Sequence, residues 1–395
     1  MFWTLLAFSP ALIEPDWKVH EAPILTDHIQ LTFPQQFVRA GEAYFNPDMT
    51  WIIFQAVPRP PEDSEPGEHY EMYVAPLTRD ADGRVTGLGD VIQISKTGSA
   101  NTCGWFHPSE PGRVLFGSTI VPPTAPDRAG YQRDTGRYRW QFPEETQIVS
   151  GVVPAIVDPS RTESIQPITD ALWSRPGYDA EGSWSPDGKW LLYTQVDVET
   201  GDPDIYVRDL DAGVSIPLVV APGYDGGPFF SPNGKRITYR SDRKGNNLLQ
   251  LFVADLVFDE SGQITGIERE AAVTDNEFVN WAPYWHPSGA LLVYSTNEAA
   301  PEQHNYEVFI IDARGSVPDP IKVRLTNADG FDGLPVFSHD GKLLMWTSQR
   351  GAAIEGESRP SSQLWLASFS MENFALAYAK EVMDRKEASA AEPGT

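Results

Sequence analysis

The chain is 395 residues long, with 41% hydrophobic and 22% charged residues, a globular composition large enough for a substantial core. Its net charge of −25 repels phosphate backbones and argues against nucleic acid as a partner, while suiting a cationic ligand, a metal ion or a basic protein patch. A single cysteine, Cys103, excludes an internal disulfide and a cysteine-rich metal site, and no apolar run reaches the length of a membrane span.

The first residues, MFWTLLAFSPALIEP, hold a short apolar stretch like the core of an export signal, but without a basic start or a clear small-residue cleavage site. An exported, periplasmic chain and a cytoplasmic one are both compatible with it. From there one sentence of sequence recurs. Its copies are AYFNPDMTWIIF (43–54), GWFHPSEPGRVLF (104–116), GSWSPDGKWLLY (182–193), PFFSPNGKRITY (228–239), PYWHPSGALLVY (283–294) and PVFSHDGKLLMW (335–346). Each reads as strand, turn, strand: Pro presets φ, Asp or Asn tolerates the left-handed region, and Gly closes the reversal. A third strand follows each hairpin, at 71–75, 146–150, 204–209, 249–254, 306–312 and 363–367. A fourth strand, often ending in Leu-Thr, occurs at 29–33, 91–95, 165–170, 215–220, 270–275 and 322–327. Four strands repeated six times predict an all-β, six-bladed β-propeller with four antiparallel strands per blade.

One fourth-type strand precedes the first hairpin and none follows the last third strand. Strand 29–33 is therefore expected to complete the last blade and close the ring, since an open sheet edge is a liability. SMENFALAYAKEVMDRK spaces Met371, Phe374, Tyr378 and Val382 helically behind Ser370 as N-cap, predicting a short C-terminal helix on the propeller wall. The expected organisation is an N-terminal segment over 1–28 (an export-signal remnant in the exported reading), a propeller over 29–370, and helix plus tail over 371–395.

The run SPDGK…LLYTQ…DIYVRDLD, with RLT-like outer strands over about 29–367, resembles the TolB-like family of WD-related propellers. The resemblance implies a bacterial, exported propeller whose members bind proteins or accompany a separate hydrolase domain. The family's blade-start motif matches Gly177–Glu181, Gly223–Gly227 and Phe331–Pro335. Only 28 residues follow Ala367, too few for the hydrolase domain, which weakens a catalytic role carried over from the multidomain relatives.

Aligning the blade starts brings Ala40, Asn101, Asp179, Asp225, Asn280 and Asp332 to one position, and Glu42, Cys103, Glu181, Gly227, Ala282 and Leu334 to another two residues on. Both belong at the mouth of the central channel. The first ring has two readings: each side chain fixes its own entry turn, or together they form a collar of oxygens for Ca²⁺, another divalent cation or a cationic group. The second ring varies between blades, as a binding site does, which singles out Glu42 and Glu181. The long loop 121–145 of blade two adds Arg137, Arg139 and Trp140 to the same face, among other arginines and tyrosines, as a hot spot for binding or as partners for surplus acids. His107, His286 and His339 fall at hairpin ends, where a metal role is not expected. Gly-x-Ser-x-Gly, His-Glu-x-x-His and phosphate-binding glycine signatures are all missing. The leading expectation is a non-catalytic propeller offering a loop-rich, acidic-mouthed face to a protein partner or small ligand. The alternative is a metal-assisted lyase or hydrolase using Glu42, Glu181 and the Asp ring.

Overall fold

A computed structural model describes residues 16–124, 127–129, 141–158, 160, 165–196, 201–303, 305–315 and 320–391. Six antiparallel sheets follow one another round an axis as the blades of a propeller. Blade three shows the pattern: Asp179–Trp184, Trp190–Val196, Pro203–Asp209 and Val214–Val219 lie side by side in that order. Its innermost strand is buried throughout, and its outermost is half exposed. The innermost strand packs against both neighbouring blades, which is why even its polar Asp179, Glu181 and Ser183 are buried. The hairpin turns carry their own caps. The hydroxyls of Ser185, Ser231 and Ser338 each accept the N–H five residues on, and Asn46 does the same for Trp51. His107 and His286 occupy this capping position in blades two and five, their Nδ1 accepting backbone N–H groups of the turn.

Blade two departs from the others. Asn101–Phe106, Arg113–Ser118 and Gln147–Val152 form a three-stranded sheet, and the expected fourth strand is reduced to a bridge between Val149 and Ala171. Two backbone bonds, Ser150 N–H to Asp170 and Leu172 N–H to Ile148, hold this segment on the sheet. Pro167 lies in it and has no N–H to give a ladder, which accounts for the loss of regularity.

The ring closes as expected, but four residues early. Leu25–Gln30, rather than 29–33, pairs antiparallel with Gln363–Phe369 as the outer strand of blade six. Leu31 and Thr32 continue the attachment by hydrogen bonds with Leu364. A short helix, Asp16–Glu21, precedes the strand, so the propeller takes in residues expected to form a separate N-terminal segment. Its Glu21 is buried and accepts from Arg350 (2.9 Å) and pairs with His28 (2.7 Å). Burial pushes the Glu21 carboxyl up, but these bonds hold it below the ordinary value. Arg350 also bonds Asp332 at 2.7 Å and lies between the rings of Trp17 and Trp346. The first described residues are thus locked onto blade six around one buried guanidinium. At the other end, Ser370 caps a helix longer than expected, Met371–Ala391, with Phe374 buried, Tyr378 packed beside it and Met371 left exposed.

Candidate functional site: the plugged central channel

All six inner strands break register at the same place, between Gly41 and Ala43 in blade one and at the matching residues of the other five. The residue in each break has left-handed backbone: Glu42 (φ 45°), Cys103 (54°), Glu181 (56°), Gly227 (59°), Ala282 (50°) and Leu334 (54°). This is the second ring of the sequence alignment. Left-handed backbone costs a non-glycine residue about 1–2 kcal/mol, so five of the six positions hold strain imposed by the fold. All six line one narrow space of about 20 Å³ on the axis. Two positions further along, Tyr44, Trp105, Phe229 and Tyr284 meet with ring centroids 4.7–6.2 Å apart and plug the channel.

Above the plug, Glu181 is held on every side. It accepts from Thr194 (2.7 Å), from the Tyr224 hydroxyl (2.8 and 2.9 Å) and from Gly227 N–H (2.6 Å), and it pairs with Arg240 at 3.3 Å. Arg240 also donates to Tyr224 at 2.8 Å and is itself buried. Two glycines make room: a Cβ on Gly226 would lie 2.6 Å from Glu181 Oε2, and one on Gly227 2.3 Å from Arg240 Nη1. Among the described residues Glu42, across the channel, receives the Tyr44 hydroxyl at 3.2 Å and the Cys103 thiol. Burial pushes the Glu42 carboxyl up, outweighing the thiol bond and the attraction of Arg240, and the charge of Glu181 pushes the same way. Burial and both glutamates push the Cys103 thiol well up, which keeps it protonated and unreactive as a nucleophile.

Arg240 is the residue that sequence reasoning missed. It sits on the second strand of blade four opposite Gly226, where the register of the other blades places Gln55, Gly117, Thr194, Ser295 and Thr347. One charge in a column of small or neutral residues was the available signal. Two hydroxyls in that column stitch neighbouring blades together: Thr347 and Ser295 accept the N–H of Glu42 and Leu334 from the next blade.

The first ring does not converge on the axis as a collar. Asp179 accepts from Trp173 and Arg175 (2.8 and 2.9 Å), Asp225 from Arg243 (3.0 Å), and Asp332 from Trp346 and Arg350 (3.1 and 2.7 Å). Asn280 donates to Gln250, Asn276 and Phe278, and Asn101 to Tyr70 and Ser99. Burial, stronger than the Ser241 and Arg243 bonds, pushes Asp225 up to about 6. Among the described residues no group of three or more His, Cys, Asp or Glu is arranged to hold a metal ion. With Arg240 on Glu181 and an arginine on each ring aspartate, the donor set does not fit a divalent cation.

Outside the plug the channel opens into a cavity of about 670 Å³. Of the first ring only Asn101 reaches its wall, and Glu42 forms part of its floor. The long loops after the second strands of blades one, two and six supply His69, Phe142 and Arg359, and Tyr178, Trp281, Tyr306 and Phe331 add aromatic surface. Among the described residues the mouth is mainly aromatic, with Arg39 and Arg359 balancing Glu42 and Glu68 on its wall. Arg137, Arg139 and Trp140 lie outside the described residues.

Fold and site together define a class: a six-bladed β-propeller with a plugged axis and one walled mouth. Among solved structures it is similar to TolB of Acinetobacter baumannii (18% identity, 84% of this chain and 64% of that chain, TM-score 0.47). It is also similar to a TolB-type protein of Agrobacterium tumefaciens (16% identity, 84% and 91%, TM-score 0.49). A third similar structure is the oligogalacturonate lyase of Vibrio parahaemolyticus (9% identity, 88% and 96%, TM-score 0.45). No protein-family model matches the sequence, and no match is found among curated proteins. At these identities the likeness is one of fold alone.

Proposed function

We propose that this chain is a non-catalytic binding propeller, working in the bacterial cell envelope, whose protein or small-molecule ligand enters the channel mouth from the loop-rich face. One observation carries the reading: a cavity of about 670 Å³ with aromatic and polar walls, closed beneath by the aromatic plug. Its volume lies in the range of small-ligand sites, roughly 300–1,000 Å³. The channel carboxylates support binding over chemistry. Glu181 has no open lone pair aimed at a substrate once Thr194, Tyr224, Gly227 and Arg240 are counted, and Cys103 is held as a thiol.

The test is affinity selection from a metabolite and peptide library, with wild type and with Ser362→Trp, which fills the cavity wall at a half-buried site. The expected result is a species retained by wild type, lost in the variant and recovered chemically unchanged. A species recovered cleaved or eliminated would shift the reading to a lyase or hydrolase. Fractionation of the producing cells tests the envelope placement.

A further inference from the structure

The channel holds a second cavity, below the aromatic plug and on the face opposite the mouth, with a volume of about 430 Å³. Its floor is the plug itself: Trp105, Phe229 and Tyr284 line it, and each keeps part of its surface exposed. Its rim is the hairpin turn of every blade. Pro47, Pro108, Pro186, Pro232 and Pro287 stand at one repeat position around it, and His339 takes the sixth place. The wall is the aromatic residue two before each of these, such as Phe45 and Trp285. The six copies of the recurring turn thus converge on one apolar funnel. It shares no lining residue with the mouth cavity.

The funnel is preformed. Each proline fixes its own φ, and the Ser185, Ser231 and Ser338 hydroxyls hold their turns by accepting the N–H five residues on. The same hydroxyls donate to Asp187, Asn233 and Asp340, so they have no hydrogen left for a ligand.

Charge narrows the class of occupant. Among the described residues no Asp, Glu, Lys or Arg lines the cavity. The turns around it carry four acids, Asp48, Glu110, Asp187 and Asp340, against five bases, Arg113, Lys189, Lys235, Arg236 and Lys342. This face is therefore near balance in a molecule of net charge −25. Arg236 already lies over the Trp285 ring at 4.8 Å, so that ring's attraction for a cation is used within the chain. An ion entering the funnel would lose hydration and meet no counter-charge on its wall, whereas a neutral apolar body loses only its contact with water.

We propose that the turn-face funnel is a second binding site, for an uncharged molecule with a compact, rigid apolar body. Its volume lies toward the lower end of small-ligand sites, roughly 300–1,000 Å³.

Equilibrium dialysis with naphthalenemethanol, naphthoate and naphthylmethylammonium tests the class, because the three share a body and differ in charge. The alcohol should bind saturably and at least about tenfold more tightly than either ion. Photoaffinity labelling with a neutral naphthyl diazirine maps the place on the unaltered protein. Label should fall on residues 45–47, 105–108, 184–186 and 229–232, be displaced by naphthalenemethanol, and persist in Ser362→Trp. Pro232→Trp, at an exposed rim position, should weaken the alcohol at least about fivefold with the circular dichroism spectrum unchanged. Label confined to the mouth, uptake that does not saturate, no uptake, or an ion that binds as tightly as the alcohol overturns the proposal. Loss of the alcohol as the chain is concentrated into dimers would assign the funnel to a second copy instead, and overturns it too.

Discussion

Glu42 and Glu181 occupy the same left-handed bulge in blades one and three, both buried, both facing the same axis. Their surroundings differ because the following blade differs. Beside Glu181, blade four supplies Gly226 and Gly227, which leave space, and Arg240 and Tyr224, which fill it with donors. Beside Glu42, blade two supplies Cys103, a weak donor in place of those groups. One glutamate is an ion-pair anchor and the other a carboxyl pushed toward its neutral form. In a propeller the backbone repeats, and the chemistry at each position is written by the blade next door.

The difference between the two glutamates breaks most sharply at Arg240. Replacing it with Met leaves Glu181 buried without a counter-charge, which should cost about 3–5 kcal/mol in chemical denaturation. A loss below about 1 kcal/mol would mean that water reaches Glu181 and that the two glutamates differ little. Glycine spacing gives the next effect. Gly226→Ala places a Cβ 2.4 Å from the Tyr224 hydroxyl and 2.6 Å from Glu181, whereas the equivalent Gly41→Ala meets Thr347 at 3.0 Å. The first should cost about 2–3 kcal/mol and the second about 1 kcal/mol, and equal losses would show that Glu181 does not set the need for glycine.

Glu42→Gln should change stability by no more than about 1 kcal/mol near neutral pH, with a pH dependence whose sign is fixed. A carboxyl with a raised folded pKa binds its proton more tightly in the folded state. Wild-type stability is therefore highest below the ordinary glutamate value of 4.5 and falls as pH rises toward the raised one. The Gln variant lacks that fall and should gain on wild type across this window. A difference between the two that is flat with pH, or that shifts in favour of wild type as pH rises, would contradict the environment described for Glu42. The smallest expected effect is none: melting curves should not move with chelator or added Ca²⁺. A Ca²⁺-dependent rise abolished in Glu42→Gln would put a cation at the channel centre.

The propeller was legible because its signal is repeated: six turns and their flanking strands survive the loss of any single landmark, such as Pro replaced by His339. The closing strand was displaced by four residues because Leu31 and Thr32, the Leu-Thr landmark, bond to Leu364 just beyond the regular ladder. The second ring was legible too, since turn-anchored alignment lands on the bulge. Arg240 was not, because it reaches the axis from the second strand, and cross-strand register is invisible in a one-dimensional alignment of inner strands. The Asp ring misled for a related reason. Its neutralising arginines come from different places, Arg175 from the loop ahead of the strand and Arg243 and Arg350 from just after the second strand. Counting acids along the chain could not show that each already had a partner.

The charge at the channel centre is settled within the chain, by Arg240 on Glu181. A double-mutant cycle of Glu181→Gln and Arg240→Met, read by denaturant unfolding, measures that coupling directly. The expected result is a coupling of at least about 2 kcal/mol, the double variant being more stable than the two single losses add up to. Losses that simply add, with coupling near zero, would show that the two groups do not neutralise each other and that another cation holds the centre.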